Sequence, residues 1–539
     1  MLRSRAADPR SALLLAWLLL GALTLVAFWA RPLTPIDETR YVSVAWEMWL
    51  RGDFLVPFKN GEPYSHKPPL MMWLFQLGWL AFGVNDVWPR LVSPLFSAVG
   101  LALTLGLARR LWPERPVVGA RAVLMLAASL AWIVFSTSAM FDVILAVFVL
   151  VGMHAVLIAA DGRSLKGFAL LGVAIGLGVL TKGPVILLHV LPVAVLAPWW
   201  NPGLAWRRWY AGIGGAVLLG AVIALAWAIP AGLAGGAEYR NAIFWGQTAN
   251  RMVESFAHRR PVWWYLPLLP LLLYPWFVWP ALWRALAGTL GTPDRGSRFC
   301  LAWMLPVFIA FSLISGKQVH YLVPLIPAFV LLAARALPDP PGSPKTGLPA
   351  LLAVLAGVAL LVIALGGYRL PHDEFPALPD RWPAMLLIAA GIASGWAGRR
   401  TVDGVVNLTL LGAVLAAAVQ LSLVRSLYDS YDVRPLASAI HRVQQSGHAV
   451  AHIGKYHAQY QFLGRLTQPL IVLDGAAAHA WLTAHPDAYA VVYVSDTRRL
   501  AGVPTLVWQR YRGEAAALVD APTALRLLAQ PRTLDTGGD

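Results

Sequence analysis

The chain has 539 residues, of which 58% are hydrophobic and only 13% charged, and its mean hydropathy is +0.61; a soluble globular chain carries roughly 25% charged residues, so the main solvent is a lipid bilayer. The net charge of +16 does not argue for nucleic acid, because the arginines sit in short clusters between apolar runs, as topology signals do. The single cysteine, Cys300, excludes an intrachain disulfide and a cysteine-rich metal site.

The first apolar run, 11–30, follows Arg3, Arg5 and Arg10. It is long for a cleaved signal, and Phe28-Trp29-Ala30-Arg31 is a poor cleavage site, so it reads as a retained signal anchor. Further windows near 88–108, 120–136, 143–160, 167–181, 184–200, 210–230, 263–284, 300–315, 321–336, 348–367, 383–397 and 403–424 bring the expected total to about thirteen spans. The stretch 167–200 is split because Lys182-Gly183-Pro184 interrupts it with a charge and two helix breakers. With the N-terminus inside, alternate loops carry Arg109, Arg110, Arg115 and Arg121; Arg163 and Lys166; Arg207 and Arg208; Arg295 and Arg298; Lys345; and Arg399 and Arg400. Basic loops of this kind stay on the cytoplasmic side. Asp37, Glu38, Lys67, Asp142, Lys182, Lys317 and His320 then face outward, together with the C-terminal segment.

Between the first two spans lies a long external loop, 31–87. Within it, 41–51 and 70–82 are apolar enough for helices lying in the membrane interface. From about residue 426 charges return. Short β-like runs appear at 449–453, 469–473, 490–494 and 505–508, with a helical window at 475–484. The expected architecture is an all-α polytopic membrane region, 1–425, followed by a small extracytoplasmic α/β domain, 426–539. His448, His452 and His457 read as solvated surface of that domain, since nothing in their spacing resembles a ligand set.

Ionisable groups near a bilayer are costly and mark function. Asp37 and Glu38 follow the first span directly, with Arg40 and Tyr41 beside them. Capping of a helix N-terminus is the plain alternative for these acids. In Asn60–Leu70 the pair Pro68-Pro69 fixes the backbone after Lys67, a cation suited to a phosphate; a snorkelling lysine is its alternative. Asp142 lies between two spans, where it could simply cap the second. Thr181-Lys182-Gly183-Pro184 and Gly316-Lys317-Gln318-Val319-His320-Tyr321 add external cations that the positive-inside tendency disfavours. Together these groups suit transfer of a phosphate-linked sugar. Cations stabilise the leaving phosphate, and a carboxylate orients the acceptor or takes its proton. Nucleotide sugars are cytoplasmic, so an outward site needs a donor that arrives in the membrane.

The motifs D-E-T-R-Y at 37–41, N-G-E-P-Y-x-x-K-P-P-L at 60–70 and F-G-V-N-D-x-x-P-R-L at 82–91, with T-K-G-P and G-K-x-x-H-Y-L-x-P-L-x-P, resemble the aminoarabinose transferase/protein O-mannosyltransferase superfamily of GT-C glycosyltransferases. The likeness covers roughly 30–340. It implies a GT-C fold and an inverting transferase using a polyprenyl-phosphate sugar, with lipid A, another glycan or lipid, or protein as acceptor. Asp37, Glu38 and Asp142 fall on catalytic positions; Arg40, Tyr41, Lys67, Lys182, Lys317, His320 and Tyr321 fall on substrate or donor-phosphate positions. No cofactor and no metal is expected from these residues, with a divalent cation left as the open alternative. At His66 the chain departs from the lipid A enzymes, which carry an acid before the lysine; this bears on the acceptor and not on the chemistry. A secondary transporter is the competing class, but its ionisable groups would lie mid-span in repeated halves, and no repeat is visible.

Overall fold

A computed structural model describes residues 8–246, 259–339, 345–367, 378–398 and 403–529. Among these, nine helices are long and apolar enough to cross a membrane, or ten if one bent pair counts as a single span. They begin with α1 (Pro9–Ala30); then come α2 (Asp37–Arg51) and α3 (Leu70–Phe82) in the first loop, and α4 (Val87–Leu111). The bent pair is α5 (Pro116–Ala128) and α6 (Leu130–Ser136), which meet at 65°. Ser129 is extended there, and the Tyr274 carbonyl accepts the Leu130 N–H freed by the break (3.2 Å). The long helices continue with α7 (Phe141–Ala160), α8 (Ser164–Lys182), α9 (Trp206–Ala234), α10 (Arg295–Leu313), α11 (Ile326–Ala336, extending a 3-10 segment from Val319), α12 (Gly347–Ala364) and α13 (Gly404–Val419).

Three of the thirteen expected windows fall short of a full span. The helix Val185–Val195 has only 11 residues, and Arg381–Ala397 has 17. The window 263–284 is broken, because Pro267, Pro270, Pro275 and Pro280 cannot donate the bonds a continuous helix needs. The basic pair Arg399 and Arg400 lies outside the described residues.

α7 is buried along nearly all its length, while α9 exposes Leu218, Val222, Ile229 and Leu233. An apolar face of that size suits hydrocarbon rather than water. The loops expected on the cytoplasmic side meet one another at one end of the helices. Arg110 and Arg295 both pair with Asp161 (3.6 and 3.2 Å), Arg335 with Asp294 (2.8 Å), and Arg121 donates to the carbonyls of Leu337 and Pro338 (3.3 and 3.0 Å).

In the first loop, β1 (Phe58–Lys59) and β2 (Glu62–Pro63) form an antiparallel hairpin around Asn60-Gly61. Both turn residues have positive φ, 54° and 88°, which Asn and Gly tolerate best. Asn60 also ties this hairpin to the C-terminal unit: its Nδ2 donates to the Leu470 carbonyl (2.9 Å), and its Oδ1 accepts from Leu470 N and Gln461 Nε2 (both 2.8 Å). The same unit covers α2, where Trp46 Nε1 donates to the Leu466 carbonyl (3.0 Å) and Phe462 N donates to Ser43 Oγ (3.1 Å).

That unit begins with α14 (Arg434–Gln445). A five-stranded sheet follows: β3 (Val450–Ile453), β4 (Ile471–Leu473), β5 (Tyr489–Val494), β6 (Val507–Tyr511) and β7 (Glu514–Asp520), in the order β4-β3-β5-β7-β6. β3 runs parallel to β4 and β5, and β7 is antiparallel to β5 and β6. Alternate residues face opposite layers. Val491, Ala516 and Leu518 pack toward α14; Ala490, Val492, Ala515 and Ala517 pack toward α15 (Gly475–Ala484) and α16 (Ala521–Leu528). The four expected strands are present. β7 was not legible, because alanine is a poor strand former; it forms as a buried central strand whose small side chains admit helices on both faces. His452 is a correction to the surface reading: it is fully buried, with its ring nitrogens 3.2 Å from the Gly454 carbonyl and 2.9 Å from the Tyr493 hydroxyl.

Candidate active site

Asp37 and Glu38 open α2, where the positive end of the helix dipole favours carboxylates. Their environments differ sharply. Glu38 is buried, forms an ion pair with Arg31, and accepts from the backbone N–H groups of Thr34 (2.8 Å) and Ala139 (2.7 Å). Arg31 in turn donates to the Thr137 carbonyl (3.0 Å) and Ser138 Oγ (3.1 Å). Glu38 therefore clamps the start of α2 to the loop before α7. Burial alone would raise its pKa, but the Arg31 charge and these hydrogen bonds hold it below the ordinary 4.5. Asp37 keeps 47% of its side chain exposed. It accepts from Tyr41 Oη (3.1 Å) and pairs with Arg40.

One consequence can be measured. Glu38→Gln leaves Arg31 buried without its countercharge, which costs about 3–5 kcal/mol. Thermal unfolding should register that loss, while activity per folded molecule changes much less. Because the folded pKa is depressed, the stabilisation is full above about pH 4.5 and fades as pH falls through the folded value. The gap between wild type and Glu38→Gln should narrow in that acid range; a gap independent of pH would contradict the clamp.

From Asp37 the site extends through aromatic contacts. The Tyr41 ring meets Phe141 edge-on at 4.7 Å, and the Lys67 ammonium lies 5.8 Å from the Phe141 ring centre. Beside Phe141, Asp142 sits in the first turn of α7. Its Oδ1 is 2.5 Å from Lys182 Nζ, and both side chains are buried. Lys182 ends α8, where the negative end of the dipole suits a cation. Gly183 (φ 81°) then takes a conformation that side chains resist, which stops the helix with Lys182 in place. The Lys182 ammonium lies 5.0 Å from the Tyr321 ring centre, and His320 stands between Tyr321 and Phe135 at 4.9 and 5.9 Å.

The structure thus gathers Asp37, Arg40, Tyr41, Lys67, Asp142, Lys182, His320 and Tyr321. Lys317 behaves differently from the expectation of a phosphate contact. It is buried, and its Nζ donates to the carbonyls of Ile314 (2.5 Å) and Arg260 (3.0 Å), so its charge secures a loop junction. Arg31 and Phe141 were not singled out in the sequence; the Arg31 partners Thr137 and Ser138 lie over 100 residues away. His66 stacks on Tyr64 at 5.3 Å. Among the described residues no group of three or more His, Cys, Asp or Glu is placed to hold a metal.

The family described as dolichyl-phosphate-mannose-protein mannosyltransferase matches residues 66–231. Undecaprenyl phosphate-alpha-4-amino-4-deoxy-L-arabinose arabinosyl transferase of Pseudomonas paraeruginosa is 34% identical over 335 residues, 59% of this chain and 59% of that protein. A namesake from Pseudomonas fluorescens is 29% identical over 86% of this chain and 84% of its own length. The crystal structure of ArnT from Cupriavidus metallidurans bound to undecaprenyl phosphate superposes with a TM-score of 0.74, covering 95% of this chain and 98% of that one at 22% identity. The chain is thus similar to the aminoarabinose transferases and, over 66–231, to the mannosyltransferase family. Its membrane helices and its C-terminal sheet region share one fold with that structure. The matched stretch spans about three fifths of the Pseudomonas paraeruginosa relative.

Proposed function

We propose that this GT-C chain transfers a 4-amino-4-deoxy pentose from undecaprenyl phosphate to lipid A, on the outer face of the inner membrane. The observation that carries this reading is the half-exposed Asp37 carboxylate, joined through Tyr41 and Phe141 to Lys67 and to the neighbouring buried Asp142–Lys182 pair. In the step, an acceptor oxygen attacks the anomeric carbon from the side opposite the phosphate. The bond from that carbon to the phosphate oxygen breaks, the configuration inverts, and undecaprenyl phosphate leaves. Asp37 orients the acceptor and takes its proton where there is one. Lys67 and Lys182 meet the charge that grows on the leaving phosphate, in a medium where a cation is worth more than in water. The names of the relatives support the choice of sugar and carrier.

The donor is tested with purified enzyme in detergent, offered the pentose either on undecaprenyl phosphate or on a nucleotide. Transfer should require the lipid-linked form, and Lys67→Ala should raise its KM about tenfold or more, with Lys67→Arg between the two. Transfer from the nucleotide sugar alone would refute the mechanism. Orientation is tested separately: a reporter fused after residue 430 should be active only in the periplasm, and cytoplasmic activity would reverse the assignment.

A further inference from the structure

At one edge of the C-terminal sheet, basic side chains gather from four separate elements. β3 and β5 run parallel, so their carboxyl ends open on the same edge. Open α/β sheets bind ligands outside such ends. Lys455 and His457 follow β3 directly. β7 starts on that edge too, since Ala515 pairs with Val494 at the end of β5. This puts Arg512, in the β6–β7 turn, on the edge that carries Lys455. The first loop packs onto the same place. Asn60 accepts from Gln461, in the loop after β3, and Ser43 of α2 accepts from Phe462 N. Lys59 precedes Asn60, and Arg40 lies about one helical turn before Ser43.

The electrostatics follow from that placement. The four charges that act most on His457 are those of Arg40, Lys59, Lys455 and Arg512. Burial first, and then these cations, bring the half-buried ring down to a pKa of about 4. Of the charges that act on Lys59, those of Arg40 and Lys455 are positive and only that of Glu62 is negative. Lys59 and His457 are half-buried, whereas Lys455 and Arg512 are exposed, so the cluster runs from solvent inward. At its inner end Arg40 pairs with Asp37. Lys67 and Lys182 belong instead to the group around Phe141 and Asp142.

A recess lined by one sign of charge concentrates the opposite ion. A phosphate monoester brings up to about two negative charges and three acceptor oxygens, which several cations from different elements can share. Neutral His457 can donate an N–H to it. An anionic head approaching Asp37 meets a repelling carboxylate, and this cluster supplies the countercharge that holds the head there. We propose that Lys59, Lys455, His457 and Arg512 form, with Arg40, the binding site for a phosphate monoester on the head of a lipid acceptor. This rests on the transferase reading above and adds which groups recognise the acceptor, and that the C-terminal domain supplies three of them.

The test uses the full chain in nanodiscs, with lipid A and undecaprenyl-phosphate aminopentose as substrates. Lys59→Gln, and the double variant Lys455→Gln/Arg512→Gln, should each raise the KM for lipid A about tenfold or more, the worth of a charge-assisted contact. The donor KM and the melting temperature should stay as in wild type. An unchanged lipid A KM, or equal rises for both substrates, would overturn the proposal and leave the transferase reading intact. A second measurement does not need turnover. Glu62→Cys, opposite Lys59 in the hairpin, is labelled with a maleimide; the native Cys300 is buried and stays silent. Lipid A should protect the new thiol, and neither dephosphorylated lipid A nor undecaprenyl phosphate should. Equal protection by the dephosphorylated lipid would overturn the phosphate site, and protection by undecaprenyl phosphate would assign the cluster to the donor. If lipid A protects but no sugar is transferred, the transferase reading fails and the phosphate site stands.

Discussion

Asp37→Asn should yield a folded protein whose turnover falls by about 10²–10⁴-fold, equivalent to about 3–5 kcal/mol of transition-state stabilisation. The geometry behind this lies in the contrast with Glu38. Glu38 has its lone pairs occupied by Arg31 and two backbone N–H groups, whereas Asp37 presents a half-exposed carboxylate that lines a cavity of about 400 Å³. Asn keeps an oxygen that can accept from Tyr41 and Arg40, so the start of α2 should survive the change. What it removes is the negative charge. The charge takes the acceptor proton, and it also favours the positive character that builds at the anomeric carbon during glycosyl transfer. The loss should therefore fall on kcat more than on either KM, with a melting temperature within a few degrees of wild type. Near-normal turnover in Asp37→Asn would sink the assignment of Asp37, and Glu38 would have to be reconsidered despite its burial.

The resemblance put Asp37 on the catalytic position with Glu38 beside it, but the physical difference between the two acids was not legible in the sequence. The motif D-E-T-R-Y marks the place, but the partner that removes Glu38 from competition is a backbone N–H at Ala139, about 100 residues away. A still longer separation hides the use of Asn60. Asn-Gly between short polar runs is a local signal for a hairpin, yet the groups that Asn60 bonds belong to Gln461 and Leu470. What the sequence did carry was anything set by local periodicity or by the cost of burying charge. Apolar windows located the long helices, and Lys182-Gly183-Pro184 located the break between α8 and the next helix.

The buried pair Asp142–Lys182 gives the second large effect. Both side chains are nearly inaccessible, at 1% and 9%. Each also ends a helix whose dipole favours its charge, so the pair joins the start of α7 to the end of α8. Removing one partner leaves the other charged in a medium that does not solvate it, at a cost of about 3–5 kcal/mol. Asp142→Asn and Lys182→Met should each lower thermal stability by that order, and each should be nearly inactive. The double variant separates the structural contribution from the chemical one. With no unpaired charge left, Asp142→Asn/Lys182→Met should regain most of the lost stability, giving a coupling energy of about 1–3 kcal/mol in the double-mutant cycle. It should not regain activity, because a donor phosphate near Tyr321 then lacks the Lys182 cation. Its donor KM should stay at least about tenfold above wild type, the scale of one charge-assisted contact of about 1.5–3 kcal/mol. If the double variant recovers both stability and donor KM, the pair only fastens two helices, and the phosphate is held by Lys67 without it.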